Sequence, residues 1–393
     1  MLDSRKARYN RIDGKRAILT GLRASSRVSQ ADLASRVGLT PSAVSQIVGQ
    51  MIRDKWIVNI GQGKTTAAGG RPPAYLALNA DARFTLGIYV STLRVDIAKV
   101  NLAFDVQPIK SIPKPAAMPA EDVLELLVRE FKEFASGVNM SDCDGLSVML
   151  GGPVDHTAGT ISDSNHVKCG PDGFPLWQLL REQVKVPVVI DSEVSASLSA
   201  EMWSGAGLKH HDVAYIYYDN RGSVIGFCLN GRLYRGKAGP AGQIYGYFFD
   251  HTPIEGKAYE YHDGRFLPSV WLSDEEKREV TAETFLDLNA FARGDGGNDP
   301  KVRRLLAKRL DLLARGMINI CNLICPEVII LGGRLVELED SSVEFIQKRL
   351  VEDAIRKVHV NHARIVKGEL PFSKAVFIGG ASYLLNKWFE RSL

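Results

Sequence analysis

Cysteine is sparse in this 393-residue chain, and what there is does not cluster. The five cysteines stand at positions 143, 169, 228, 321 and 325, with no CxxC pair and no tight Cys/His group. That spacing excludes a disulfide framework and points away from a zinc site. Cys321 and Cys325 lie one helical turn apart in an apolar run and read as core packing. Long apolar runs are missing too. No stretch has the length needed to span a bilayer and no signal peptide is evident, so the expected setting is the cytoplasm, with no membrane partner. Net charge is small, only +4. With 45% hydrophobic and 24% charged residues, the chain can bury a sizeable core spread over two or three domains.

The charge that exists is unevenly placed. Residues 1–80 hold 13 Lys/Arg against 4 Asp/Glu, which leaves the rest of the chain mildly acidic. A basic head on an acidic body suits a nucleic-acid-binding module fused to something else. The head carries a matching pattern in SQADLASRVGLTPSAVSQIVGQMI, residues 29–52. Ser29 can cap a first helix, with Asp32 completing a capping-box-like start. Gly38 permits the left-handed turn that ends it. Thr40 caps a second helix, and Pro41 takes the first helical position, where its missing N–H is harmless. Val44, Ile47, Val48, Met51 and Ile52 recur at helical spacing as one apolar stripe. These features predict a helix-turn-helix. Its outer face offers Thr40, Ser42, Ser45, Gln46 and Gln50, short or planar hydrogen-bonding groups suited to base edges in a major groove. Residues 55–60 and 75–78 read as two strands behind it, a winged form. Arg71, held in the loop Gly69-Gly70-Arg71-Pro72-Pro73, is placed to enter a minor groove. Arg53 and Lys64 are expected to contact phosphates.

From about Asp81 the pattern alternates strands and helices, which implies an α/β body. Strands are expected over 84–90, 94–102, 145–150, 186–190, 213–218, 224–229, 326–333 and 374–378. Helices are expected over 121–134, 176–183, 195–203, 303–324, 343–358 and 381–389. Glycine pairs follow several strands, at 151–152, 332–333 and 379–380. Two halves with hairpin-rich starts suggest two lobes with a cleft between them.

GGRPPAYLALN (69–79), GGPVDHTAGTISDSN (151–165), PVVIDSEVSASLSAEMWSGAG (187–207), LNGRLYRGKAGPAGQI (229–244), FARGD (291–295) and CPEVIILGG (325–333) together resemble the ROK family of repressors and sugar kinases, in its regulator branch. The resemblance covers nearly the whole chain. It implies an α/β fold in which an amino-terminal winged helix-turn-helix, residues 1–80, precedes a bilobed actin/hexokinase-like (ribonuclease H-like) body, residues 81–393.

The resemblance also implies where a ROK kinase would keep its chemistry, and this chain departs at most of those places. The family's first phosphate loop, DxGGT, matches Tyr89-Val90-Ser91-Thr92-Leu93, without the aspartate or either glycine. A phosphate cradle needs open backbone N–H groups, and the loss points away from ATP. The second phosphate loop matches Asn220-Arg221-Gly222-Ser223-Val224, where valine cannot take glycine's conformations cheaply. The sugar-binding Asn-Asp pair, whose aspartate is the catalytic base, matches Ser192-Glu193, a carboxylate one methylene longer. The sugar-contacting glutamate matches Gln243, and the following histidine falls near Gly246. The cysteine-rich zinc loop falls on residues 250–262, which contain no cysteine; His251 and His262 do not supply four ligands. That loop's glutamate falls on Tyr259 or Glu260. His156 and His166 read as isolated polar surface or cleft residues.

The resulting expectation is a transcriptional regulator of the repressor type, with a double-stranded DNA operator as partner and no enzyme activity. No cofactor and no metal are expected. A sugar or sugar-derivative effector would be lined by Asn165, Ser192, Glu193, Gln243 and Glu260. A homodimer or higher homo-oligomer is expected, because two half-sites need two heads. Two alternatives stay open: an active sugar kinase with an accessory DNA-binding domain, and a regulator whose cleft is vestigial.

Overall fold

The computed structural model describes residues 14–62, 74–164, 166–219, 222–237, 239, 241–242, 313–353 and 363–391. The chain divides into two compact units, Met1–Ala196 with Val376–Leu393, and Ser197–Ala375.

The first unit opens with a helix over residues 14–23, α1. There follow β1 (Val28–Ser29), α2 (Gln30–Val37), α3 (Pro41–Arg53), β2 (Ile57–Gln62) and β3 (Ala74–Leu78). The helix-turn-helix forms for the reasons legible in its residues. The Ser29 hydroxyl accepts from the Asp32 N–H at 3.1 Å, and Gly38 closes α2 at φ 68°. Thr40 accepts from the Ala43 N–H at 3.3 Å ahead of Pro41. β3 pairs antiparallel with both β1 and β2, giving the expected wing. Ile18, Leu19, Leu33, Val44, Val48, Met51 and Trp56 are all sealed from solvent. Burial of each such side chain contributes about 1.5–3 kcal/mol. Ile52 is a correction: it is exposed, because it sits past the edge of the stripe in the last turn of α3.

The same unit continues with β4 (Phe84–Val90), β5 (Arg94–Asn101), β6 (Val106–Pro113), β7 (Met118–Pro119), α4 (Ala120–Ser136), β8 (Cys143–Leu150), β9 (Val154–Asp155), β10 (Thr160–Ile161), β11 (Val167–Lys168), α5 (Leu176–Val184), β12 (Val188–Ser192) and the start of α6 (Glu193–Ser204). The main sheet has the order β12-β8-β4-β5-β6. β4, β8 and β12 are parallel, and their carboxyl ends align, Val90 opposite Leu150 and Leu150 opposite Ser192. Every residue of β4 and β8 is buried, as parallel strands covered on both faces should be. Side chains of α4 and α5 pack into the core cluster with these strands.

The second unit holds most of α6, then β13 (Val213–Asp219), β14 (Gly222–Leu229), β15 (Arg232–Tyr234), a helix described over 313–324 (α7), β16 (Val328–Gly333), α8 (Asp340–Asp353) and β17 (Arg364–Lys367). Its sheet runs β15-β14-β13-β16-β17. Ala314, Met317 and Cys321 of α7 pack with Ile329 and Leu331 of β16. Burial pushes the Cys321 thiol up to about 12, in keeping with a core role. Cys325 is a correction: it is exposed, one residue past the helix, at φ 47°.

The last element, α9 (Phe372–Arg391), spans the boundary between the units and overturns the strand expected at 374–378. Ala375 to Ile378 are all buried, and a short apolar run does not distinguish strand from buried helix. Gly379 and Gly380 are not a turn but contact points within the helix. A Cβ on Gly379 would overlap the Ala196 carbonyl, and one on Gly380 would lie 2.5 Å from Ser147 Oγ.

Candidate functional site

Two places in the first unit gather polar groups on prepared scaffolds. One is the outer side of α3. Ser42, Ser45 and Gln46 are exposed there, side by side over about one turn. Thr40 is also exposed, but its hydroxyl is committed to the cap. Gln50 is half-buried and already engaged. Its amide donates to both Asp54 oxygens at 3.1 Å, and its carbonyl accepts from Arg53 Nη2 at 2.6 Å. Gln50 and Arg53 therefore form one linked patch at the helix end rather than two independent contacts. Lys64 and Arg71 lie outside the described residues.

Sequence inspection missed Arg27. It is exposed, and its guanidinium stacks 3.7 Å above the Tyr75 ring, where β1 meets β3. The stacking holds a cation beside the wing in a geometry suited to phosphate. The signal was faint, a lone basic residue two positions before the Ser29 cap.

The second place is the carboxyl edge of β4, β8 and β12, where open α/β sheets present their ligand-binding crevices. β12 runs into α6 with no loop between Ser192 and Glu193. Ser192 Oγ accepts from the Ser195 N–H at 3.2 Å, capping the helix start. Glu193 thus stands in the first turn, where the helix dipole favours a carboxylate. The Tyr89 hydroxyl donates to Glu193 Oε2 at 2.6 Å, and both residues are buried. Asp191 is buried and accepts from the Ser192 N–H at 2.6 Å. His156 Nε2 lies 2.8 Å from Asp191 Oδ1, an ion pair whenever the imidazole is protonated.

His156 and His166 are therefore not isolated, contrary to expectation. The His166 ring is buried against Gly151, where any Cβ would overlap it, and its Nδ1 lies 3.2 Å from Thr92 Oγ1. Their partners, Asp191 of β12 and Thr92 of the turn after β4, are distant along the chain, and spacing does not reveal them.

The turn matching the first phosphate loop is closed on itself. The Ser91 N–H donates to the Arg94 carbonyl at 3.0 Å, and the Arg94 N–H donates to Ser91 Oγ at 3.2 Å. The turn presents the Thr92 carbonyl instead, and Lys114 takes it together with two carbonyls from outside the turn. Lys114 Nζ donates to the carbonyls of Thr92 at 2.9 Å, Pro115 at 3.1 Å and His166 at 2.6 Å. Burial pushes this ammonium down to about 8, while the three carbonyls support its charged form. With the folded value below the unfolded one, the unfolded chain binds more protons between about pH 8 and pH 10, so this group adds stability as pH rises through that window. The stability difference between wild type and Lys114→Met is expected to shift in favour of wild type by about 1–3 kcal/mol from pH 7 to pH 10. Urea unfolding of both proteins at the two pH values measures it.

Asn165, Gln243 and Glu260, with His251, His262 and Asn220-Arg221, lie outside the described residues. Among the described residues no group of three or more His, Cys, Asp or Glu is arranged to hold a metal ion.

Comparison with known proteins matches two stretches of the chain. Residues 86–258 match the ROK family, and residues 15–58 match a winged helix-turn-helix DNA-binding family. The chain carries a ROK domain behind a winged helix-turn-helix. The chain is 24% identical over 339 residues to the xylose repressor of Bacillus spizizenii, covering 82% of each chain. It is 22% identical over 372 residues to the DNA-binding transcriptional dual regulator NagC of Escherichia coli, covering 89% of this chain and 87% of that one. The crystal structure of a ROK family transcriptional regulator, a homolog of the E. coli MLC protein, matches the chain with a TM-score of 0.72 at 18% identity, over 98% of both. A ROK hexokinase from Thermus thermophilus matches with a TM-score of 0.55 at 19% identity, over 79% of this chain and 99% of that one. The fold is thus α/β, a winged helix-turn-helix followed by an actin/hexokinase-like ROK body. The hexokinase leaves about the length of the head uncovered.

Proposed function

We propose that this ROK chain is a transcriptional repressor. Its head, residues 1–80, reads a duplex operator, and its body, residues 81–393, takes a sugar or sugar-derivative effector. The observation that carries this is a contrast within one unit. The outer face of α3 holds exposed Ser42, Ser45 and Gln46 ready for base edges, whereas the phosphate turn is closed by its own residues and by Lys114. Thr40, Gln50, Arg53, Lys64 and Arg71 complete the DNA surface, with Arg27 added to the phosphate contacts. Ser192, Glu193, Asn165, Gln243 and Glu260 are the effector contacts. The relatives named repressors and regulators support the reading, and the chain works as a homodimer on cytoplasmic DNA, one head per half-site. Among the described residues no helix is long and apolar enough to cross a membrane.

Phosphoryl transfer is not part of this reading. Tyr89 stands where the kinases of the family hold the phosphate-loop aspartate, and its hydroxyl occupies the Glu193 carboxylate. A general base must reach its substrate's proton, and one already receiving a 2.6 Å hydrogen bond is poorly placed to do so.

Duplexes are selected from a random pool by the purified chain, and binding is measured by gel shift. Gln46→Ala is expected to weaken the selected duplex about tenfold, within the 1–3 kcal/mol of a base contact, and to relax one position of the site. Arg53→Ala is expected to weaken all duplexes alike and to lower the salt slope by about 1. Failure to select any duplex, together with ADP release in the presence of a hexose, would overturn the proposal in favour of the kinase.

A further inference from the structure

The head is seated on the body through α9. Trp56, the second residue past the Asp54 cap of α3, has no solvent exposure, and its ring lies 4.1 Å from that of Trp388 and 5.8 Å from that of Phe389. Lys15 of α1 is buried with its ammonium 5.3 Å over Trp388 and 5.7 Å over Phe389. Such aromatic and cation–π contacts are directional as well as apolar, so they set an angle and not merely a distance. Trp56 is also tied to both reading elements. Its N–H donates to Met51 of α3 at 2.8 Å, and its carbonyl accepts from Asn79 at the foot of β3 at 2.8 Å. The Trp56 backbone thus joins the end of α3 to the foot of β3, with its ring set against α9.

The other stretch of α9 in this unit rests on the strands that end at the Glu193 site. Phe377 packs where β4 has only Gly87, two residues before Tyr89. Gly380 packs on Ser147 of β8, and Gly379 packs on the Ala196 carbonyl, one helical turn past Glu193. Lys387 Nζ donates to the Val188 carbonyl of β12 at 3.4 Å. The glycines leave no clearance, and close-packed contacts of this kind transmit displacement rather than absorb it. From Gly380 to Trp388 is about 12 Å of unbroken helix.

We propose that α9 carries the state of the Glu193 site to the DNA reader, with Trp388 and Phe389 as the residues that position Trp56 and so the recognition helix. Arg23 supplies the fixed point. Its Nε donates to the Leu102 carbonyl at 2.7 Å, and its guanidinium lies 3.5 Å over Phe104. Burial first, then the neighbouring Arg16, pushes it down to about 9, so it stays charged at neutral pH. An effector that draws α6 or β4 would tilt α9 and turn the head about this anchor. The inference rests on the DNA-reading function proposed above.

A double-mutant cycle tests it in the full chain. Gly380→Ala disturbs the body end of α9, and Trp388→Ala releases the reader end. Two readouts are used: affinity for the duplex selected by wild type, and hydrogen exchange of amides 44–56. Gly380→Ala is expected to change duplex affinity at least threefold and to raise exchange across 44–56. Both changes are expected to vanish when Trp388 is already alanine, and to persist with Trp388→Phe. A merely structural Trp388 would give independent effects, with the double mutant showing the product of the two singles; that result overturns the proposal. If Gly380→Ala fails to fold, Tyr89→Phe replaces it, with the same outcomes expected. Absence of duplex binding by wild type would condemn the DNA reading alone, because the exchange readout still decides whether the two ends of α9 communicate.

Discussion

Replacing Trp56 with alanine is expected to cost about 3–5 kcal/mol, the largest stability loss of any single change in the head. The ring is fully buried and stacks on Trp388 and Phe389. Its removal forfeits the transfer term and opens a cavity between two elements that cannot both collapse into it. α9 is held by Gly379 and Gly380, and β2 is held by its ladder with β3. The lost aromatic pairs add about 0.5–1.5 kcal/mol beyond area burial, and the Lys15 cation loses nothing only if Trp388 stays in place. Urea unfolding should show a midpoint shift with little change in slope. A loss under 1 kcal/mol would mean that the head leans on the body far less than the packing indicates.

Raising salt from 50 to 200 mM is expected to weaken binding of the selected duplex by about a thousandfold. The warrant is the basic head, 13 Lys/Arg against 4 Asp/Glu in residues 1–80, presented twice in the proposed dimer. About six phosphate contacts in total suffice for a loss of that size, because each releases condensed counterions. Arg27 and Arg53 are both exposed, and they are the two proposed contacts per head among the described residues. Titration by fluorescence anisotropy across five salt concentrations gives the slope directly. A flat profile would exclude phosphate contacts as the main source of affinity, and with them the assignment of the basic residues.

The head was legible because each of its signals is local. Ser29, Gly38, Thr40 and Pro41 act within four residues of themselves, and the structure places every one in the role its chemistry suggests. The limit of periodicity shows at Ile52, where the end of a helix frees a residue that the stripe would bury. In the body, β6 went unread because an exposed edge strand carrying Pro108, Lys110 and Pro113 has no apolar alternation to show. Residues 374–378 misled for the opposite reason, an apolar run buried on all sides. The site was harder still. Glu193 could be named from its neighbours, but the Tyr89 hydroxyl that occupies it comes from a residue 104 positions away. The carbonyls gathered by Lys114 belong to the backbone and leave no mark on composition.

The seating of Lys15 and Trp56 on the last turns of the chain bears on how such regulators are recombined. Cut free, the head would bare a tryptophan and a lysine stem made for another surface, and would become sticky and poorly ordered. Chimeras that graft it onto a foreign body should therefore import the terminal helix with it. The natural splice point is not the gap between strand β3 and strand β4 but a pair of cuts, one of them near the carboxyl terminus.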